Sequence, residues 1–223
     1  MILQSEKAKS LILEIFSKLS VNNQVAQICV EGLIQTSLRG IDTHGIKLVP
    51  HYVKAIELGR LNPNPNIKFK KTSKSTGILD ADHTLGYVAG VIAIQHAIEL
   101  AKESGTGFVS VKNSSHCGAL AYPCLKACDE NMIGLGFTHA TSRMKSPGSI
   151  REIFGTNPLC FTAPMEKEDP FCFDSSPTMI SFHKIFHHRE TQTELPEGSA
   201  ADVEGKETTD PFKAVQLLPI GDY

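Results

Sequence analysis

The sequence predicts an α/β fold, with a helical N-terminal part and a mixed-sheet body behind it. Three observations carry this expectation. Apolar residues recur at three- and four-residue steps through roughly the first sixty positions, which is helical periodicity. From Ile67 onward, short alternating or apolar runs are bounded by Gly, Pro, Asn and Asp, as strands are. Strand-like and helix-like runs then succeed one another through Met132 to Thr138. At 223 residues, 41% apolar and 21% charged, the chain is long enough for one large or two small soluble domains. A division is expected at residue 65, between a helical part (1–65) and an α/β part (66–223).

Taken in order, Ser5 to Ser20 reads as an amphipathic helix capped by Ser5, with Ala8, Leu11, Ile12, Ile15, Phe16 and Leu19 in its stripe. A second helix runs from about Gln24 to Leu38, weakened by Gly32. The polar turn Arg39-Gly40-Ile41-Asp42-Thr43-His44-Gly45 feeds a third helix, through Pro50 to Leu58, that stops at Gly59. Asn62-Pro63-Asn64-Pro65 is a linker. Ile67–Lys70 and Thr76–Asp80 read as strands, followed by a helix from Tyr87 to Ser104. The strand Gly107–Val111, a helix from Tyr122 to Asn131 and the strand Met132–Thr138 form a strand–helix–strand unit, whose strands are expected to pair in parallel. A polar loop, His139–Ser149, leads to strands at Leu159–Thr162 and Phe171–Phe173. Pro177 then suits the first turn of a helix over Thr178–Arg189. The tail from Glu194 carries little periodicity.

Several classes are excluded. A formal charge of −2 argues against a nucleic-acid surface. The one dense basic cluster, Lys68, Lys70, Lys71 and Lys74, interleaves with Phe69 and reads as the solvated face of an edge strand. The longest apolar stretch, Val88 to Ala101, is broken by Gln95, His96 and Glu99, so no membrane span is expected. Six cysteines without a CxxC pair, and no signal peptide, point to a reducing cytoplasm.

The chemistry concentrates in two glycine-flanked turns. His116, in Ser115-His116-Cys117-Gly118-Ala119-Leu120, follows a strand and precedes a helix, where open α/β sheets bind ligands. His44 sits in Thr43-His44-Gly45, with Thr43 able to relay or orient a proton. Tyr52, about two helical turns further on, reaches toward the same cavity. An imidazole at either turn can exchange the hydroxyl proton that accompanies hydride transfer at an oxygen-bearing carbon. Either histidine can equally cap the helix it precedes. Asp174-Ser175-Ser176-Pro177-Thr178 closes a strand and opens the expected helix, so its N–H groups and hydroxyls form either a phosphate or ribose cradle or a plain helix cap. No GxGxxG or P-loop pattern occurs, so an ordinary Rossmann fingerprint is absent. His183 and His187 share the i, i+4 spacing of zinc ligands, but no third ligand accompanies them, and no metal is expected. A zinc hydrolase is the reading they would support.

Six motifs in register carry a resemblance. They are Arg39-Gly40-Ile41-Asp42-Thr43-His44-Gly45-Ile46, Gly59-Arg60-Leu61-Asn62-Pro63, Ser115-His116-Cys117-Gly118-Ala119, Gly155-Thr156-Asn157-Pro158, Leu195-Pro196-Glu197-Gly198 and Thr208-Thr209-Asp210-Pro211. Together they resemble the malate/L-lactate dehydrogenase family that lacks an ordinary Rossmann domain, which includes ureidoglycolate and sulfolactate dehydrogenases. The resemblance implies an NAD- or NADP-dependent oxidoreductase acting on 2-hydroxy acids, or on the matching 2-oxo or imino acids. It also implies a homodimer with a non-Rossmann mixed-sheet cofactor domain. It assigns proton exchange to His116, substrate contacts to Thr43, His44 and Tyr52, and cofactor contacts to His116, Cys117, Gly118, Ala119, Leu120, Ala140, Thr141, Asp174, Ser175 and Ser176. The family often places arginine after the His-Gly pair to grip the substrate carboxylate. Here the residues are Lys47-Leu48, and Lys47 supplies charge without a bidentate fork. The segment after Asp174 also departs from the family pattern, as does Ser199. The chain stops where the family continues, so a C-terminally truncated member is expected. The alternative is a non-catalytic cofactor-binding remnant or partner subunit.

Overall fold

The computed structural model describes residues 3–221, with six α-helices and ten strands in a mixed α/β arrangement. Two compact units emerge. One runs to Gly136 and takes back Cys160–Phe173; the other holds Phe137–Leu159 and the chain from Asp174 on.

In the first unit, α1 (Ser5–Lys18) buries Ala8, Ile12 and Phe16, while Leu11 of the expected stripe is exposed. Gln4, not Ser5, occupies its cap position, without a side-chain bond. α2 (Asn23–Leu38) is capped by Asn22, whose side-chain oxygen accepts from the N–H groups of Gln24 and Val25. A short 3-10 turn, Ile46–Leu48, leads into α3 (Val49–Glu57), with Pro50 in its first turn and Gly59, at φ 67°, past its end. β1 (Lys68–Lys71) and β2 (Thr76–Asp80) pair antiparallel, and β1 is an edge whose lysines are exposed, as their pattern predicts.

α4 (Gly86–Ser104) crosses from β2 to β3 (Phe108–Lys112), and β2 and β3 pair in parallel. The parallel crossover is therefore β2–α4–β3, not the expected unit around α5 (Ala121–Cys128). The strand after α5, β4 (Gly134–Phe137), instead joins a separate sheet of order β4-β7-β8, with β7 (Leu159–Ala163) and β8 (Phe171–Ser175). Residues 1–65 do not stand apart. Phe16, Val30, Leu33 and Tyr52 of the helical segment share one core with Leu85, Tyr87 and Val88 at the start of α4.

The sheet β4-β7-β8 presses one face on α5. Gly134 is required there, because a Cβ would stand 2.4 Å from the Cys124 carbonyl oxygen. The Thr162 hydroxyl donates to that same carbonyl at 3.0 Å, and Cys124 and Cys160 fill the seam with Leu120 and Ala121. The other face is bare: Ile133, Leu135, Phe171 and Phe173 are each about half exposed or more, at 61%, 56%, 52% and 49%.

In the second unit, β5 (Ser142–Lys145) lies inside the stretch expected to be loop and pairs antiparallel with β6 (Glu152–Gly155). β10 (Gln216–Leu217) pairs in parallel with β5 and antiparallel with β9 (Ala200–Ala201). The expected helix from Thr178 is corrected. α6 spans Phe182–Thr191, and Pro177 lies outside it. Residues 177–179 are held extended by the tail: Ile220 N–H donates to the Pro177 carbonyl at 3.0 Å and Met179 N–H to Leu218 at 3.1 Å. Ile185 of α6 packs with Leu195, Ala214 and Leu217, and Arg189 donates to the carbonyls of Pro211 and Ala214.

Candidate active site

β3 ends at Lys112, and Asn113 turns the chain at φ 52°, where asparagine is better tolerated than most side chains. The Asn113 amide donates to Asp80 Oδ1 at 3.0 Å, and Lys112 stands 3.0 Å from the same carboxylate. These hydrogen bonds, the Asn113 one foremost, hold the partly exposed Asp80 carboxyl down at about 2. The Ser115 hydroxyl then donates to the Thr84 carbonyl at 3.0 Å, which fixes the approach to His116. Gly86 lies directly beneath: a Cβ there would meet the His116 carbonyl oxygen at 2.3 Å.

His116 is exposed, and its ring stacks on that of His44 with centroids 5.6 Å apart and planes at 21°. The two glycine-flanked turns singled out in the sequence thus meet. The Gly118 N–H donates to His116 Nδ1 at 3.3 Å, which gives that nitrogen the acceptor role and the ring proton to Nε2. Thr43 Oγ1 lies 2.9 Å from His44 Nδ1.

Tyr87, which the sequence reading passed over, ties the two turns together. Its buried hydroxyl donates to the His44 carbonyl at 2.8 Å, accepts from the Ala119 N–H at 3.1 Å and lies 2.8 Å from Thr36 Oγ1. Burial pushes its phenol up to about 12, so it stays protonated as a donor. Gly118, at φ +66°, leaves room for this ring, because a Cβ there would stand 2.1 Å from Tyr87 Cζ. Gly32 does the same from α2, at 2.6 Å from Cδ1. An aromatic one residue into a helix, with glycines on the segments facing it, is the signal that was available.

Tyr52 corrects the sequence expectation. It is wholly buried, and its hydroxyl donates to the His116 carbonyl at 3.2 Å, so it holds the His116 backbone and does not line a substrate surface. Burial raises its phenol well above the ordinary value. Its neighbour His51 takes the exposed position instead, edge-on to His116 at 6.3 Å and 68°. Lys47 is exposed on the 3-10 turn and makes no hydrogen bond or ion pair among the described residues, whereas Leu48 is buried.

Of the expected cofactor residues, Cys117 is half-buried and Gly118, Ala119 and Leu120 are buried against α4 and α5. Ala140, Thr141 and Asp174–Ser176 belong to the second unit. Ala140 N–H donates to Asn157 Oδ1 at 3.0 Å, which puts the Gly155-Thr156-Asn157-Pro158 motif under that loop, and Thr141 is exposed. Asp174, Ser175 and Ser176 are half-buried, but no helix starts there, so the cradle of helix N–H groups argued from the sequence is absent. The Ser176 hydroxyl meets Thr178 Oγ1 at 2.8 Å instead. A half-buried carboxylate beside hydroxyls still fits ribose hydroxyls, which such a group accepts in other dinucleotide sites. His183 and His187 lie on α6, and no cluster of three or more metal-ligating side chains occurs among the described residues.

Comparisons with known proteins give the same direction. The sequence profile described as malate/L-lactate dehydrogenase matches residues 3–223. The L-sulfolactate dehydrogenase of Methanocaldococcus jannaschii is 36% identical over 99% of this chain and 64% of its own length. The ureidoglycolate dehydrogenase (NAD(+)) of Escherichia coli K12 is 32% identical over 87% of this chain and 56% of its own. Among solved structures, the malate dehydrogenase of Entamoeba histolytica superposes with a TM-score of 0.94 at 29% identity, covering 99% of this chain and 64% of that one. The chain therefore spans less than two thirds of the length of these relatives.

Proposed function

This chain belongs to the malate/L-lactate dehydrogenase family, and on that premise we propose that it oxidises and reduces C2 of a small 2-hydroxy or 2-oxo acid with NAD or NADP. The observation that carries the reading is the stacking of His44 on His116 at 5.6 Å, two polar rings from distant turns held over one exposed surface. The nicotinamide, when bound, supplies the hydride acceptor or donor. His116 exchanges the hydroxyl proton at its ring nitrogens. In the resting geometry the Nδ1 lone pair rests on the Gly118 N–H at 3.3 Å, a long bond that is released, or the ring turned, when the imidazole acts as base. Thr43 orients the His44 ring through Nδ1, and His44 is the proposed hydrogen-bond partner of the substrate oxygen. Tyr87 and Tyr52 hold the backbone of both turns. Cys117–Leu120, Ala140–Thr141 and Asp174–Ser176 are the proposed cofactor contacts.

The proposal extends to a homodimer in the cytoplasm, supported by the bare apolar face of β4-β7-β8 and by cysteine usage. No helix of the described residues is long and apolar enough to cross a membrane. The test is reduction of NAD and NADP at 340 nm with malate, sulfolactate and lactate. His116→Ala is expected to lower kcat by roughly 10³-fold while dinucleotide affinity, read by nicotinamide fluorescence, stays within about threefold. Unchanged turnover in that variant overturns the assignment. The same bare face favours a second reading, a cofactor-binding chain without turnover of its own; dinucleotide binding with no reaction on any of the three acids selects it.

A further inference from the structure

Three imidazoles share one surface of the first unit, and the proposed reaction uses two of them. His51 is the third. It stands exposed on α3 with its ring 6.3 Å from that of His116, edge-on, and His116 in turn stacks on His44. Its neighbour Tyr52 is turned inward to the His116 carbonyl, which fixes α3 against the His116 turn and so fixes this spacing.

The spacing suits a short molecule with two oxygen groups on adjacent carbons. Two hydrogen bonds of about 2.8 Å, with the O···O span of an α-hydroxy acid between them, reach across roughly 5–7 Å, the same order as the 6.3 Å between the ring centroids. The charge suits it too. The groups that act on His51 are Tyr52 on its own helix, Arg60 from the turn after α3, and His116, with His44 beyond it. Arg60 is a cation, and among the described residues neither it nor His51 is in an ion pair with a carboxylate. Lys47 lies on the preceding turn, exposed, and Leu48 is buried.

We propose that His51, backed by the charge of Arg60, receives the carboxylate of the 2-hydroxy acid while His116 handles its hydroxyl. This rests on the dehydrogenase reading for the identity of the acid, but anion binding at His51 does not. Burial, and then Arg60, favour the neutral imidazole in the unliganded protein. A bound carboxylate favours the charged ring, so binding draws a proton onto His51 and tightens as pH falls.

The test uses the whole chain and malonate, an unreactive dicarboxylate. Histidine Cε1–H resonances, assigned with His51→Phe, are followed against pH with and without malonate. The expected result is an upward displacement of the His51 midpoint by at least about half a pH unit. In His51→Phe, malonate binding weakens about tenfold and KM for malate rises about tenfold, with kcat and dinucleotide affinity each within about threefold. Malonate that leaves the His51 midpoint in place, fails to bind, or binds His51→Phe equally well overturns the proposal. A protein that turns over no 2-hydroxy acid, yet shows the His51 displacement, sinks the reaction and keeps the anion site. Turnover with a KM indifferent to His51 does the reverse.

Discussion

At the scale of single residues, the site depends on a phenol that touches no substrate in the proposed mechanism. Tyr87 joins the part-buried His44 carbonyl to the buried Ala119 N–H, and removing its hydroxyl takes that partner from both. Tyr87→Phe is expected to cost about 2 kcal/mol in urea unfolding and to lower kcat about tenfold, with dinucleotide affinity near wild type. The same phenol makes stability sensitive to alkali. Its ionisation is pushed from 10.0 to about 12 on folding, so the folded state holds the proton more tightly than the unfolded chain. The contribution is complete below pH 10 and is lost as pH rises through about 12. Unfolding free energy should therefore fall across that window, less steeply in Tyr87→Phe; equal slopes would exclude Tyr87 as a source. Gly86→Ala acts through backbone: its Cβ would meet the His116 carbonyl at 2.3 Å, so the His116 turn must shift. Turnover should drop at least tenfold in that variant while circular dichroism stays unchanged, since misplacement by about 1 Å costs on that order or more. His44 and His116 were legible in the sequence because glycine-flanked polar turns stand out locally. Tyr52 was legible as a residue of the site but not in its direction, since helical spacing alone does not say which of two adjacent side chains faces inward. His51 was missed for the same reason.

At the scale of elements, local periodicity located α1 to α4 and β1 to β3 to within a few residues, because each carries its own apolar stripe or alternation. It failed where pairing partners are far away in sequence. Residues 177–179 look like a helix start, but their carbonyl and N–H groups are bonded to 218–220, a tail with no pattern of its own. β5 was hidden likewise: Ser142-Arg143-Met144-Lys145 is polar, and what makes it a strand is β6 on one side and β10 on the other. The strand after α5 was foreseen, but its sheet was not, because hydrophobic pattern identifies a strand without choosing its neighbour. Stability should follow these differences. Amide exchange is expected to be slowest in α2 and α4, whose residues Val30, Leu33 and Val88 are almost wholly buried, and faster by at least about tenfold in α6, where only Ile185 is buried. Uniform protection would contradict this.

At the scale of the whole molecule, the feature that stands apart is the bare face of β4-β7-β8. Four large apolar side chains, in or just before the two outer strands β4 and β8, present about half or more of their surface to water, beyond what isolated surface residues show. The chain prepared by itself is expected to enhance anilinonaphthalene sulfonate fluorescence and to sediment as more than a monomer. Replacing Leu135 and Phe173 by Ser should reduce both by half or more while leaving the His44–His116 region intact; no change in either would place the association elsewhere. In a cell, a surface of this kind is also what folding surveillance reads. A nascent chain that keeps it uncovered stays a client of holdase chaperones and proteases however well its core is packed. Its steady-state amount would then be governed by how soon that sheet finds its cover, and not by the free energy of folding.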